Sequence, residues 1–438
     1  MRAYCGWVYR LVVVYFVACF IVSCGGSDGG SDSADSGQPG GNGGGGDNSG
    51  FDYGSMLVNL ADNIIVPNYS AFKTAAQSEA AESGAIAQYC AAIGTDNEAL
   101  RLVDAKAAWR SLIALWQRAE LHNFGPVAGQ NNLLRNQIYA YADIAFDSCR
   151  TDRAVISLDA LGEDFNIKAQ PESARGLAAL EYLLFNENLS HTCPESVVTA
   201  VPAIAEWDER PDAERKLARC DYASALSVEI AEAAADIESG WMSTGGNYRA
   251  AFIDVADDGA LDVVLNLVSD ALFYIEKETK DKKLGIPLAL KSGECATAAC
   301  PDAVESPYAQ QSLQNVKANL QSFLDLYTGG SGLGFDDLIA QAGGSSTNAG
   351  FAGDVNAAIA LVDAMLSDSS SLVAEAQRIV DQGLAAQCQN SNANPATIQT
   401  ERACALHGYA KRITDRLRTD FVTYVGVDLP DRVQGDAD

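Results

Sequence analysis

The feature that most constrains the fold is a single apolar stripe between residues 97 and 122. Its members recur at intervals of three or four positions: Leu102, Ala105, Trp109, Leu112, Trp116 and Ala119. This spacing places them on one face of an α-helix. Capping-box spacing at residues 95–98 indicates where the helix begins, and Gly125-Pro126 indicates where it ends. The segment therefore predicts a long helix with one buried face.

The rest of the chain from residue 52 onward is also predicted to be helical, because Ala and Leu are abundant and β-branched alternation is scarce. The further helices are predicted at 54–91, 131–150, 173–187, 213–241, 247–279, 306–327, 351–387 (broken near Ser369) and 398–424. Loops are predicted at 186–212, 280–305, 328–350 and 388–397. Long helices with short connections predict antiparallel bundles. The fold class is all-α, with an N-terminal bundle at 52–240 and a C-terminal bundle at 241–438.

The first 23 residues have the pattern of an export signal. Arg2 and Arg10 precede an apolar run from Leu11 to Val22, which is too short for an ordinary membrane-spanning helix. The sequence before and including Cys24 resembles the lipobox of bacterial lipoproteins, where the cysteine takes lipid after cleavage. No aspartate follows Cys24, so an outer-membrane lipoprotein facing the periplasm is expected if the cell is Gram-negative. The alternative is an uncleaved anchor with a chance cysteine.

Residues 24–51 predict a flexible tether, because Gly, Ser, Asp and Asn cannot bury apolar surface. A random coil of this length spans roughly 30 Å. The whole chain carries a formal charge of −28, and a field of that sign repels nucleic acid. Nucleic acid is therefore not expected as a partner. The expected partners are the membrane, through the lipid, and small ligands, peptides, metal complexes or envelope proteins.

Eight cysteines remain after the leader and Cys24 are set aside, and an even number in an exported protein predicts disulfides. Proximity in the sequence favours the pairs Cys193–Cys220, Cys295–Cys300 and Cys388–Cys404, which leaves Cys90–Cys149. A zinc site is the alternative, but no Cys-x-x-Cys pair occurs and the chain has three histidines.

Two acidic residues lie on apolar helix faces, where an unpaired carboxylate is unfavourable. Glu120 follows Trp116 by four residues, and Glu181 lies four residues after Leu177 and three before Leu184. Glu120 could instead meet water at a helix end. A buried Glu181 would need an arginine, a hydroxyl or a metal, or would take up a proton. The candidate arginine partners are Arg101, Arg110, Arg118, Arg135 and Arg175. Gly176 lies in the same run. Glycine weakens a helix relative to alanine, so its presence here indicates that another part of the chain packs closely or that a backbone approaches at this position.

Residues 176–185 resemble the signature of the imelysin-like family, Gly-x-His-x-x-Glu before a Tyr-Leu-Leu stretch. Further similar segments are Ala108-Trp109 through Trp116-Gln117 with Glu120, Gly125-Pro126, Trp241 with Gly245-Gly246 and Tyr248, Lys283 to Leu288, Glu305-Ser306-Pro307-Tyr308, Val425 to Asp428 and Gly435 to Asp438. The resemblance covers roughly residues 55–438. It implies an all-helical fold of two bundle-like halves around a central cleft, and a link to iron uptake.

The signature is incomplete, because Ala178 stands where the family has histidine. Histidine and glutamate at positions i and i+3 share a helix face and suit one metal ion. His122 is the best substitute ligand, so Glu120, His122 and Glu181 form the candidate metal set. His191 and His407 are the other histidines. Iron or another metal is the candidate cofactor, and Ala178 weakens that prediction.

The sequence leaves three alternative candidate functions. The first is a binding lipoprotein whose cleft holds a small ligand or metal complex, lined by Glu120, Gly176, Ala178, Glu181, Glu305 and Ser306. The second is a metallopeptidase, from the family's peptidase label, although His-Glu-x-x-His is absent from the sequence. The third is a non-catalytic interaction protein with a degenerate site.

Overall fold

The computed structural model describes residues 50–254 and 258–434, and these residues contain no β-strand. The predicted leader, Cys24, the tether up to residue 49 and the C-terminal residues 435–438 lie outside the described residues. The all-α prediction is confirmed for the described part of the chain.

The helices follow one another with short connections. The α-helices are α1 (Tyr53–Asn59), α2 (Val66–Ala80), α3 (Ala85–Ala92), α4 (Glu98–Ala119), α5 (Gly129–Tyr139), α6 (Ser148–Leu161), α7 (Gly176–Phe185), α8 (Glu195–Ala200), α9 (Pro202–Ala205), α10 (Asp212–Trp241), α11 (Tyr248–Ile253), α12 (Asp258–Leu272), α13 (Ser312–Thr328), α14 (Phe335–Gln341), α15 (Ser345–Ser367), α16 (Leu372–Gln382), α17 (Ala385–Ala393), α18 (Arg402–Arg416) and α19 (Val422–Val425). Segments of π-helix span Leu60–Ile65, Ile275–Gly285 and Leu417–Phe421. Short 3₁₀ turns span Gly125–Ala128, Ala140–Ala142, Gly162–Asp164, Ile167–Ala169, Glu172–Ala174, Trp207–Glu209, Pro301–Ala303 and Asp431–Val433.

Two groups of helices can be distinguished by their packing. In the first group, α10 packs against α2, α3, α5, α6 and α7. In the second group, α13 and α18 both pack against α15 and against the π-helix Ile275–Gly285, and α17 packs on α18. Helix α4 contacts α2, α3 and α7 in the first group and α13 in the second. The described residues, 50–254 and 258–434, cluster as one compact unit, and a boundary between residues 240 and 241 stays a prediction.

Two of the predicted helices agree with the structure, because α4 and α10 coincide with the predictions at 97–122 and 213–241 within a few residues. The longer helix predicted at 54–91 is wrong as a single helix, because a turn at residues 81–84 separates α2 from α3. The prediction of a capping box at the start of α4 is wrong. Asn97 makes no capping hydrogen bond, and the Glu98 carboxylate instead accepts a hydrogen bond from the Gly94 amide at 2.8 Å.

Other boundaries are wrong where tertiary contacts decide them. The single helix predicted at 131–150 is divided into α5 and α6. The loop predicted at 280–305 begins too early, because the π-helix continues to Gly285. That segment is rich in lysine, yet Lys280 and Lys283 are buried and paired with acidic side chains. Insertions of π-helix occur frequently at functional sites.

Helix α15 is long and apolar enough by composition to cross a membrane, and it is the one such helix among the described residues. Its inner face, which includes Phe351, Val355 and Val362, is buried against neighbouring helices. This burial is typical of a core helix in a folded domain.

Four disulfides link the eight cysteines, and two of the predicted pairs are confirmed: Cys295–Cys300 and Cys388–Cys404. The predicted pairs Cys193–Cys220 and Cys90–Cys149 are wrong. The structure has Cys90–Cys220 and Cys149–Cys193. Cys220 lies on α10, which packs along α3 and so brings Cys220 beside Cys90 despite a separation of 130 residues.

Candidate functional site

The helix that carries the variant signature begins at a glycine that no other residue can replace without strain. Gly176 has a φ of +68°, in the left-handed region that favours glycine. A Cβ atom at this position would lie 2.4 Å from the carbonyl oxygen of Ile138 on α5. The close packing predicted for Gly176 is therefore present, and it holds the start of α7 against α5.

A second pair of signature segments meets elsewhere in the molecule. Gly125, with a φ of +65°, lies so close to Tyr248 that a Cβ would approach its ring to 2.4 Å. The Tyr248 ring also packs edge-on against Trp241, with centroids 5.0 Å apart. These residues come from segments that resemble the same family, and the Tyr248 ring leaves no room for a side chain at Gly125.

A cleft of about 410 Å³ opens beside α7. Its lining residues are Tyr139, Tyr141, Ala145, Phe146, Ser148, Ala178, Glu181, Lys282, Ile286, Asp302, Ala303, Val304, Glu305, Ser306, Pro307 and Tyr308. Four predicted site residues, Ala178, Glu181, Glu305 and Ser306, line it together although more than 100 residues separate the two pairs. Gly176 and Glu120 were also predicted to line the cleft, and that prediction is wrong, because neither is among its lining residues and Glu120 contacts Lys283 instead.

Glu181 is buried at the wall of this cleft, and the partner of its carboxyl is a backbone amide. The Ala309 N–H donates to Glu181 Oε1 at 2.8 Å. Burial is the main cause that raises the pKa of Glu181 to about 8, and the nearby Glu305 carboxyl raises it further. Glu181 is therefore mainly protonated at neutral pH, which is the alternative that its position on an apolar face predicted.

None of the five arginines predicted as partners binds Glu181. Four of them pair with other acids: Arg101 with Asp104, Arg118 with Asp325, Arg135 with Asp143 and Arg175 with Glu229. The fifth, Arg110, stacks over the Phe185 ring, 4.8 Å from its centroid. Each arginine has a nearer partner on its own or a neighbouring element, which a single sequence does not reveal.

Beneath the cleft, the ammonium group of Lys283 is surrounded by four side-chain oxygens. Lys283 Nζ donates to Glu120 Oε1 at 2.7 Å, to Asn319 Oδ1 at 2.8 Å and to Gln117 Oε1, and lies 3.2 Å from Glu305 Oε1. We call Gln117, Glu120, Glu305 and Asn319 the Lys283 cage. All five side chains are buried, so Glu120 does not meet water at the end of its helix.

Further hydrogen bonds hold the cage together. Glu305 Oε1 accepts from Tyr139 at 3.0 Å and from Gln117 at 3.2 Å, and Asn319 Nδ2 donates to Glu120 Oε1 at 3.1 Å. Burial lowers the pKa of Lys283, but the carboxylates of Glu120 and Glu305 outweigh it and raise that pKa overall. Burial raises the pKa of Glu305, which Lys283 opposes. Lys283 is therefore a charged ammonium, held by at least one carboxylate.

The other oxygen of Glu305 stands apart from this network. Glu305 Oε2 is buried and has no hydrogen-bond partner among the described residues. A buried carboxyl oxygen without a partner is unfavourable, and such atoms often belong to binding sites. The next residue, Ser306, has a left-handed φ of +49°, so the backbone turns sharply where the chain enters the cleft.

His122 does not join the acidic residues. Its Nε2 atom lies 3.0 Å from Asn68 Nδ2 on α2, and its carbonyl accepts from Tyr69. Burial, assisted by Arg118, lowers the pKa of His122 to about 3. His191 lies near Asp208, and His407 bonds Asn392. All three histidines are therefore engaged away from the cleft.

The residues at the variant signature do not fit a metal ion. No group of three or more His, Cys, Asp or Glu side chains in the described parts of the chain could hold one. The predicted set of Glu120, His122 and Glu181 is therefore not a metal cluster. Glu120 is bound to Lys283, His122 faces α2, and Glu181 is mainly protonated. Metal-assisted hydrolysis needs about three protein ligands, and these three side chains do not supply them.

The sequence pattern does not reveal which residues bind the carboxyl groups of Glu120 and Glu305. Gln117 and Lys283 lie in family-like segments that predict no role for them, and Asn319 lies outside those segments. A signal for Asn319 exists, because it stands between Val316, Leu320 and Phe323 on the apolar face of α13. A polar residue on such a face needs a partner. Lys283 carries no such signal, because its segment is predicted to be a loop.

Comparison with known protein families and with solved structures points to the same family. Residues 65–393 match the model of the imelysin family, peptidase M75. An imelysin-like protein from Psychrobacter arcticum 273-4 has a similar structure, with 17% identity, a TM-score of 0.57, and coverage of 85% of this chain and 95% of that chain. A putative iron-regulated protein A precursor from Parabacteroides distasonis ATCC 8503 has 14% identity and a TM-score of 0.57, with coverage of 85% and 94%. No curated protein matches the chain.

Proposed function

The chain belongs to the imelysin family, and we propose that it is an envelope lipoprotein whose cleft binds a small ligand or a metal complex. The observation that carries the proposal is the cleft itself, which gathers Ala178 and Glu181 from α7 with Glu305 and Ser306 from a distant loop. A volume of about 410 Å³ lies in the usual range for ligand sites.

The lining of the cleft supports a ligand with both flat and polar parts. The rings of Tyr139 and Tyr141 stack, with centroids 5.9 Å apart, and Phe146 and Tyr308 add further aromatic surface. Protonated Glu181 can donate a hydrogen bond at neutral pH, and Ser306 can donate or accept one. The unpartnered Glu305 Oε2 needs a donor. The methyl group of Ala178 leaves open the space that a histidine ring would fill.

We favour a metal complex over a bare metal ion, because a chelated metal brings most of its own ligands. The protein then needs to recognise only the outer surface of the chelator. A link to iron is proposed because a structural neighbour is named an iron-regulated protein precursor. The location is proposed from the sequence alone, through the export signal and Cys24. A tethered binding protein would retain its ligand at the membrane surface.

Ferric citrate is a suitable probe for this proposal. We expect the mature protein to bind it, measured as iron retained after equilibrium dialysis. We expect Ala178→Trp, which fills the cleft, to weaken binding at least tenfold. Ala160→Trp is the matched control, because Ala160 lines a different depression and is exposed. Native mass spectrometry of protein purified from the envelope would detect other small ligands.

Two results would overturn the proposal. One is a wild-type protein that retains neither ferric citrate nor any small molecule from the envelope. The other is equal binding by wild type and Ala178→Trp, which would place the bound molecule outside the cleft. The first result would favour an interaction protein with a degenerate site.

A further inference from the structure

Lys283 and the four residues of its cage come from four separate parts of the chain. Gln117 and Glu120 come from the end of α4, Lys283 from the π-helix, Glu305 from the loop that lines the cleft, and Asn319 from α13. All their side chains converge on one nitrogen atom that is wholly buried. Four elements therefore meet at a single positive charge.

The oxygen atoms of the cage are of the kind that bind hard metal cations. Two are carboxylate oxygens and two are side-chain amide oxygens. Ca²⁺, Mg²⁺ and Mn²⁺ prefer such oxygen ligands. An ammonium group has three N–H donors, and here it faces four acceptors. The cage thus offers one more oxygen than a lysine can bind by simple hydrogen bonds.

We propose that Lys283 is a built-in substitute for a bound cation: its ammonium occupies the point in the cage where a hard divalent metal would otherwise bind. The buried carboxylates of Glu120 and Glu305 need a nearby positive charge. Lys283 supplies this charge as part of the chain, so the carboxylates beneath the cleft have a cation without a free metal ion. The role of Lys283 does not depend on what the cleft binds.

The test is to remove the ammonium and offer a metal instead. We would compare the mature wild-type chain, Lys283→Ala and the triple variant Lys283→Ala/Glu120→Gln/Glu305→Gln. Mn²⁺ binding is measured by electron paramagnetic resonance, with no organic ligand present. We expect Lys283→Ala to gain one site at least tenfold tighter than any site of the wild type. The triple variant should lose it, while weak surface binding by this acidic chain is shared by all three.

A second measurement uses a cation other than a metal. n-Propylammonium has the length that Lys283→Ala removes, and it carries the same N–H donors. We expect it to raise the melting temperature of Lys283→Ala by several degrees and to leave the triple variant unchanged. Tetramethylammonium, which has no N–H donor, serves as the control and should have no such effect.

The proposal is overturned if Lys283→Ala binds Mn²⁺ no more tightly than the triple variant. It is also overturned if wild-type protein purified from metal-rich medium holds stoichiometric metal that Glu120→Gln abolishes. If Lys283→Ala does not fold, this wild-type comparison decides, and the absence of Glu120-dependent metal supports the proposal. Ferric citrate binding in the cleft is measured separately, so either proposal can fail alone.

Discussion

Two buried carboxyl groups near the same cleft are stabilised in different ways. Glu120 is held by the Lys283 ammonium, 2.7 Å from its oxygen. Glu181 has a backbone amide as its partner, and burial raises its pKa to about 8. Lys283 therefore stays charged beside its carboxyl partners, whereas Glu181 takes up a proton. The difference shows that burial alone does not decide the charge of an acid. A nearby cation opposes the effect of burial.

This contrast has a functional consequence. The cage reaches the cleft through Glu305, and it holds the charged Lys283 ammonium next to the cleft lining. Glu181 lies at the wall and changes its charge in the range that an envelope protein meets. A ligand in the cleft would therefore lie close to two groups: the Glu181 carboxyl, whose charge depends on pH, and the Lys283 ammonium, which stays charged.

The largest expected effect comes from breaking the cage. Lys283→Met leaves two buried carboxyls without their cation, and we expect a loss of about 3–5 kcal/mol in the free energy of unfolding. Urea denaturation measures it. The control is Lys317→Met, which removes a partly exposed pair with Asp363 and should cost about 0–1 kcal/mol. Similar losses in the two variants would mean that the cage contributes no more than a surface pair.

The next effect concerns the position of the helix that carries Glu181. Gly176→Ala forces a left-handed residue into contact with the Ile138 carbonyl, and we expect a loss of about 2–4 kcal/mol. Gly383→Ala is the matched control, because Gly383 is also left-handed, with a φ of +63°, but has open space around it. It should cost about 1 kcal/mol. Equal losses would show that α7 can shift away from α5 freely.

The pH dependence of stability tests the protonation of Glu181. Its pKa is about 8 in the folded chain and about 4.3 in the unfolded chain. Between these values only the folded state keeps the proton, so this group makes stability fall as pH rises. The expected slope is about 1.4 kcal/mol per pH unit, ending near pH 8.

Glu181→Gln isolates this contribution, because glutamine is neutral and can still accept from the Ala309 amide. The difference in unfolding free energy between wild type and variant should change along that slope between pH 5 and 8. Glu187→Gln, at an exposed site, should show no such trend. A constant difference for Glu181→Gln would mean that Glu181 is ionised in the folded protein.

The smallest effect is expected from restoring the signature histidine. Ala178 is only partly buried and borders the cleft, so Ala178→His should change stability by less than about 1 kcal/mol. We expect less than a tenfold gain in zinc or iron affinity, measured by calorimetry, because Glu181 keeps its proton and its amide partner. A submicromolar site would show that one histidine suffices and that the lost metal site is easily rebuilt.

Several properties of this protein follow from local patterns that the sequence displays directly. The apolar stripe of α4 and the length of α10 predicted two long helices, because a helical period needs no distant partner to be recognised. The disulfides Cys295–Cys300 and Cys388–Cys404 join near neighbours in the chain. Glu181 stands out as a buried acid because an apolar face surrounds it.

Only the tertiary structure decided which distant groups meet. Cys220 pairs with Cys90 because α10 packs on α3, and Glu305 lies above Glu120 because the loop after the π-helix returns to the end of α4. Lys283 has the sequence context of an exposed loop residue, and only the carboxylates around it explain its burial. The physical reason is that a buried charge depends on partners far away in the chain. The sequence shows that an acid is buried, and only the fold supplies its cation.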